Sequence, residues 1–236
     1  MTPNTLTGQI VKSCSILIIG LTCILSQVSA HAETEAPTFI NGYRAGLDII
    51  GGNTVSPSAI QYTITDLYNE QKQGDHTLTS FIEVGLNFGI RHYNHFETEL
   101  YLNLASGGEK SAPRYYNYIY YPMRAYAMLM PFGIREHYYQ PIFDKIDLDF
   151  ALGCGGIYTW GTYIDKNDFE TYRQQIWSKT EFTYDYSIGM VWHKSEIFDI
   201  RLGYQRVNFT SDFIGKGLNK FYLGFSLVIP KKIFTD

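Results

Sequence analysis

Charged residues in this sequence fall at alternate positions of short segments. Asp48, Glu83, Glu97, Glu99, Asp147, Asp149, Asp185 and Asp199 occupy such positions, as do Arg44, Arg91, Arg124 and Arg201, with no lysine among them. Carboxylates gathered on one side of a fold support two kinds of chemistry: a pair flanking a scissile bond, or an acidic path for cations. Arginines interleaved among them favour a plainer outcome. The planar guanidinium fork suits enclosed carboxylates, and an unpaired charge removed from water is costly, so the set is expected to neutralise itself as an internal salt-bridge network.

The other chemically suggestive residues are sparser. His193-Lys194-Ser195 places a base and a hydroxyl two apart, on one side of an extended chain. His92 and His95 flank a short connection where a metal would need a third ligand, and none is evident nearby. Gly153-Cys154-Gly155-Gly156 lacks the Lys-Ser/Thr pair and helix of a phosphate-binding loop. Asn208-Phe209-Thr210 matches a glycosylation sequon. Each reads more simply as a turn or a strand lacking bulk, so no catalytic, cofactor or metal residue is assigned.

The 236 residues are 18% charged and 16% aromatic, with 20 Tyr, 15 Phe and 21 Gly. That is not the composition of a disordered, collagen-like or coiled-coil chain. A net charge of -4 argues against a nucleic-acid partner. Three cysteines exclude a disulfide scaffold and a four-cysteine zinc site. Lys12, the apolar run Ile16–Leu25 and Ala30-His31-Ala32 describe a secretory signal peptide over residues 1–32. Cys23 lacks the lipoprotein context, and Cys154 is left as a lone thiol.

From residue 41 onward the elements that must carry the charges are strands. Eight segments alternate with period two. Their apolar sides are Tyr43 to Ile49, Ile82 to Ile90, Phe96 to Leu104, Met123 to Leu129, Ile146 to Leu152, Phe182 to Trp192, Phe198 to Tyr204 and Phe221 to Ile229; the other sides mix charge with glycine. Glycine beside charge suits a crowded, curved interior better than an open solvated face. An apolar outer band, a polar interior and segments of about ten residues fit a transmembrane barrel. Long connections (53–76, 105–114, 159–179, 208–219) alternate with short ones (92–95, 133–143, 193–196), as in barrels with short periplasmic turns and long external loops. The sequence therefore predicts an all-β, eight-stranded antiparallel up-and-down transmembrane barrel over 41–230. A short periplasmic segment (33–40) precedes it and a tail (231–236) follows.

Four stretches carry a family resemblance: Gly42-Tyr43-Arg44-Ala45-Gly46-Leu47-Asp48, Gly85-Leu86-Asn87-Phe88-Gly89-Ile90, Asp149 to Tyr158, and Phe221-Tyr222-Leu223-Gly224-Phe225. On these the chain resembles the opacity-type, OmpA-like eight-stranded outer-membrane barrels, which include surface antigens and adhesins. The resemblance implies a bacterial outer-membrane location with loops at the cell surface, no cofactor, and contact with outer-membrane lipid and lipopolysaccharide. It departs from such barrels in ending Lys231-Lys232-Ile233-Phe234-Thr235-Asp236 rather than on an aromatic residue. Lipid A deacylases are also eight-stranded barrels with a His-x-Ser pair, but the pattern around His193 does not match theirs.

Function is therefore sought in the loops. The first holds Tyr62 and Tyr68; the third holds Trp160, Tyr163, Phe169, Tyr172, Arg173 and Trp177. Aromatics interleaved with charge are enriched at protein interfaces, so a host or extracellular protein is the expected partner of a monomeric barrel. Tyr115, Tyr116, Tyr118, Tyr120, Tyr121, Tyr158, Trp160, Phe182 and Tyr184 are expected in an outer aromatic girdle. Phe96, Phe132, Phe143, Trp192 and Phe198 are expected in an inner one. The competing readings are a barrel enzyme acting on lipid A or phospholipid, and a narrow porin.

Overall fold

The computed structural model describes residues 42–65, 71–92, 95–116, 119–166 and 171–230. They form β1 (Gly42–Val55), β2 (Ala59–Thr65), β3 (Gln71–Thr77), β4 (Ser80–His92), β5 (Phe96–Tyr116), β6 (Ile119–Phe143), β7 (Ile146–Lys166), β8 (Thr171–Ser195), β9 (Phe198–Phe209) and β10 (Gly217–Pro230). Eight of them close a barrel in the order β1-β10-β9-β8-β7-β6-β5-β4, and β2 pairs with β3 in a separate hairpin. Every neighbouring pair in the ring is antiparallel. The expected segments 1–32 and 33–40 and the tail 231–236 lie outside the described residues.

The register fixes the barrel's shape. The paired row that starts at Tyr43 runs through Ile90, Thr98, Glu136, Leu152, Tyr186, Arg206 and Asn219, and returns to β1 at Asn53, ten residues along. Ten residues at ~3.3 Å against eight strands at ~4.8 Å give a strand tilt of about 41°. A barrel of this size is just wide enough to be filled by its own side chains.

Period-two alternation decides which side chains fill it. Leu47, Ile49, Leu86, Leu100, Leu102, Ile188, Leu202 and Leu227 stand outward and exposed, while Arg44, Glu83, Glu99, Asp149 and Arg201 between them are buried. Such a continuous exposed apolar surface has no place in water and is the belt of a membrane-spanning barrel. Tyr184, Tyr158 and Trp160 lie toward its long-hairpin end, the last two stacked at 5.3 Å. Phe96, Trp192 and Phe198 lie at the short-turn end. Phe132 does not belong with them: it pairs with Leu102, six residues from Phe96, in the middle of the band.

The inward glycines explain why glycine alternates with charge. A Cβ on Gly153 would lie 2.7 Å from Asp185 Oδ2, and one on Gly46 would lie 2.7 Å from Ser226 Oγ. Neighbouring strands lay polar side chains across these bare positions. Gly203 is hemmed in on two sides, because its Cβ would meet both the Tyr222 ring at 2.6 Å and the Ile188 carbonyl oxygen at 2.7 Å. The backbone cannot yield, so Gly203→Ala is expected to destabilise the barrel by about 1–3 kcal/mol. Urea unfolding of the two proteins in the same lipid vesicles checks this, and an unchanged midpoint would refute the packing account.

Three expectations are corrected. The 133–143 stretch is not a connection but part of β6, which turns only at Asp144-Lys145. The faces of the fourth segment are also reversed. Ala127 and Leu129 are buried inside, and Tyr126, Met128 and Met130 alternate with them on the outside. Both faces are apolar there, so hydropathy could not tell them apart. Finally, three of the four long connections are largely strand. The stretch 53–76 contains the β2–β3 hairpin, and β5 to β8 run on through most of 105–114 and 159–179. Among the described residues, 208–219 holds a seven-residue loop at 210–216.

Candidate functional site: a filled and capped lumen

The inward side chains stack in layers along the barrel axis. At the short-turn end His193 Nδ1 lies 2.8 Å from Asp199 and its Nε2 lies 3.0 Å from Asp147. With a carboxylate on each ring nitrogen, both nitrogens donate. Arg91 donates to Asp199 at 2.8 Å and to Glu97 at 3.2 Å.

Glu99 is the centre of the next layer. Its two oxygens accept from Arg44 at 2.7 Å, Arg201 at 2.8 Å and Arg135 at 2.8 Å. The three arginines reach further carboxylates: Arg44 contacts Glu97, Arg201 donates to Asp48 at 3.0 Å, and Arg135 donates to Asp185 at 2.9 Å. Asp48 also accepts from Asn87, and Asp185 from Gln205. His137 pairs with Asp149 at 2.8 Å, and the Arg135 guanidinium lies 4.4 Å from the centre of the Tyr101 ring. Above this layer Lys220 donates to Glu83 at 2.8 Å, and Asn103 bonds the same carboxylate. The free space left among Asp48, Tyr101, Arg135, His137, Arg201 and Tyr222 is about 10 Å³, on the scale of one water.

Beyond Glu83 the lumen changes character. Ile60, Leu78, Phe81, Ala105, Ala127, Leu129, Ile157, Val207, Ile214 and Leu218 form one buried apolar cluster. Ile60 and Leu78 belong to the β2–β3 hairpin and its exit, and Ile214 to the 210–216 loop. Ser58 N–H donates to the Ile214 carbonyl and Lys216 N–H to the Val55 carbonyl, which ties that loop to the start of the hairpin. The apolar cluster is a plug across the loop end of the barrel.

Eleven of the twelve expected network residues come together here. Arg124 is the exception: its strand position alternates with Ala127 and Leu129, and its side chain lies outside the described residues. Sequence reasoning missed Arg135, His137 and Lys220. Arg135, His137 and Tyr139 alternate with Ile134, Glu136 and Tyr138, a pattern visible had 133–143 been read as strand. Lys220 stands two residues before Tyr222 on the polar face of β10, so the expectation of no lysine is corrected.

The loop candidates divide. Trp160 faces outward. Tyr163 is buried, and Trp177 is turned inward between Tyr62, at 5.9 Å, and His76, at 5.5 Å, where it packs against the plug. The bulge at Gly161/Thr162 opposite Trp177 makes room for it. Tyr62 and Trp177 thus pack the hairpin against the plug. The side chains of Tyr68, Phe169, Tyr172 and Arg173, and of Tyr115 to Tyr121, lie outside the described residues. The paired stretch His193–Ser195 offers no nucleophile arrangement, because both ring nitrogens of His193 face carboxylates.

No family model and no curated protein matches the chain. Solved structures to which it is similar include Ail, the attachment invasion locus protein of Yersinia pestis, at 9% identity over 80% of this chain and 100% of that one, with a TM-score of 0.42. Neisserial surface protein A is similar at 10% identity over 79% and 96%, with a TM-score of 0.39. The outer membrane protein OprG from Pseudomonas aeruginosa is similar at 11% identity over 82% and 95%, with a TM-score of 0.39. The chain's own register and belt give it the fold of an eight-stranded outer-membrane barrel, as the sequence resemblance implied.

Proposed function

We propose that this chain is a non-conducting, non-catalytic surface protein of the bacterial outer membrane, with a structural or interaction role carried by its parts beyond the membrane. One observation supports this above the others: the lumen is filled by mutually paired charges and then closed by the Leu78, Leu129, Ile214 and Leu218 layer. A pore needs a continuous polar path, and an apolar layer without water blocks ions even where charges line the rest. A lumenal enzyme needs room for substrate beside its carboxylates, and these are occupied by arginine, lysine and histidine. The long ends of β5 to β8 and the β2–β3 hairpin supply the surface on which a host or extracellular protein would be met.

Planar-bilayer recording tests the reading. The purified barrel, with its folded state checked by heat-modifiable gel mobility, is expected to give no discrete conductance steps. Reproducible steps from folded protein would favour the narrow-porin reading. A change in lipid A or phospholipid mass in cells that express the chain would favour an enzyme.

A further inference from the structure

Among the described residues, the belt of apolar side chains is broken at two places on opposite sides of the barrel. One break lies on β4, β5 and β6, where His92 Nε2 sits 2.7 Å from one Glu136 carboxylate oxygen and Thr98 Oγ1 donates to the other at 2.7 Å. It is closed upon itself. The other lies on β9 and β10, four strands round the ring from β5. There Arg206 Nε donates to Asn208 Oδ1 at 3.1 Å and Nη1 to Asn219 Oδ1 at 2.9 Å, and Tyr204 donates to the same Asn219 oxygen at 2.8 Å. This break is not closed. Every lumenal arginine has a carboxylate partner, whereas Arg206 has none among the described residues, and most of its five N–H donors remain unused.

The register sets the heights of the two breaks. Glu136 and Arg206 lie on one paired row, three strands apart. At a tilt of about 41° that row climbs about 3 Å per strand, so Arg206 stands about 9 Å nearer the loop end. On β9 the apolar run Phe198, Ile200, Leu202, Tyr204 ends just below Arg206; on β6 it begins just above Glu136 at Ile134. The first break thus borders the apolar belt on its short-turn side, and the second borders it on its loop side. Tyr186 and Tyr184, paired with Arg206 and Asn208 and half-exposed, flank the second break with rings suited to that depth.

From this unneutralised, braced guanidinium at headgroup level on the outer side, we propose that Arg206, held by Asn208 and Asn219, docks the phosphate of a lipid A-type glycolipid of the external leaflet. The fork matches phosphate bidentately, the two amide oxygens hold it in place before the lipid arrives, and the tyrosines border the sugar. This rests on the outer-membrane reading above.

Native mass spectrometry of the full chain, extracted from membranes in detergent and titrated with diphosphoryl lipid A, tests the site. Wild type is expected to retain one lipid A per barrel. Arg206→Gln should weaken retention by about tenfold or more, and Arg206→Lys, which keeps the charge but loses the fork, by less. Equal retention by folded Arg206→Gln overturns the proposal. Should that variant not fold, wild type alone decides, since equal retention of diphosphoryl and dephosphorylated lipid A also overturns it. Retention of phosphatidylglycerol as tight as lipid A refutes the glycolipid assignment. Wild-type protein without heat-modifiable mobility would fail the membrane reading itself, a result distinct from loss of lipid discrimination by a folded barrel.

Discussion

Replacing Glu99 with leucine should cost the barrel about 3–5 kcal/mol, the range for breaking a buried ion pair by removing one partner. Glu99 is fully buried and is the one carboxylate shared by Arg44, Arg135 and Arg201. Leucine fills similar volume but accepts no hydrogen bond. Three guanidiniums from three different strands would then face one another across the lumen, each left with a single further carboxylate: Glu97, Asp185 or Asp48. Water cannot readily repair the loss, because free space beside them is on the scale of one molecule. Asp147→Asn is the matched comparison. Asp147 sits at the open short-turn end against a partly exposed His193, where solvent screens the pair, and about 1 kcal/mol or less is expected. Urea unfolding in lipid vesicles, followed by gel mobility, reads both. A Glu99→Leu effect no larger than that of Asp147→Asn would mean that the network fills space without contributing to stability.

Much of this was legible in the sequence because a bilayer imposes an unusually strict code. Ile82 to Arg91 alternates without a fault, and so do Phe198 to Gln205 and Phe221 to Ser226, since each outward residue meets hydrocarbon and each inward one meets charge. The code lapses where the membrane ends. Along Tyr126 to Met130 the inner residues Ala127 and Leu129 enter the plug, so both faces are apolar and the period-two signal vanishes with its cause. Gln71 to Thr77 pairs with β2 through its backbone while showing almost no apolar residue, so burial could not announce it as a strand. The same blindness affected Arg135 and His137. Their strand carries Glu136 and Tyr138 on the outer face, and a polar residue on a face that should be apolar reads as a turn. The polar break on the outer wall thus concealed an essential part of the inner network.

The plug yields the other large effect. Leu78 has no exposed surface and touches the apolar cluster between the exit of β3 and the start of β4. Leu78→Asp would place a carboxylate among Ile60, Phe81, Ile214 and Leu218, where the bordering cations Lys220 and Lys179 already serve Glu83 and Glu181, a burial that costs about 3 kcal/mol or more unless the segment moves. Movement is the easier outcome. The hairpin is joined to the barrel sheet by no ladder of its own, and β2 and β3 pair only with each other. The carboxylate reaches water if the hairpin lifts and the Tyr62–Trp177–His76 stack separates. The barrel below is held by continuous ladders and by the Glu99 layer, and should stay closed. Trypsin applied to intact cells should therefore cut at Lys72 at least tenfold faster in the variant. Arg91 and Arg201 in the wall should be spared in both proteins. Conductance should remain absent, because lifting the plug leaves four arginines, Lys220 and their carboxylates still filling the path. Unchanged cleavage at Lys72 would mean that the hairpin is not fastened through Leu78. Conductance appearing in the variant would mean that the plug alone, and not the charged layers beneath it, keeps the barrel shut.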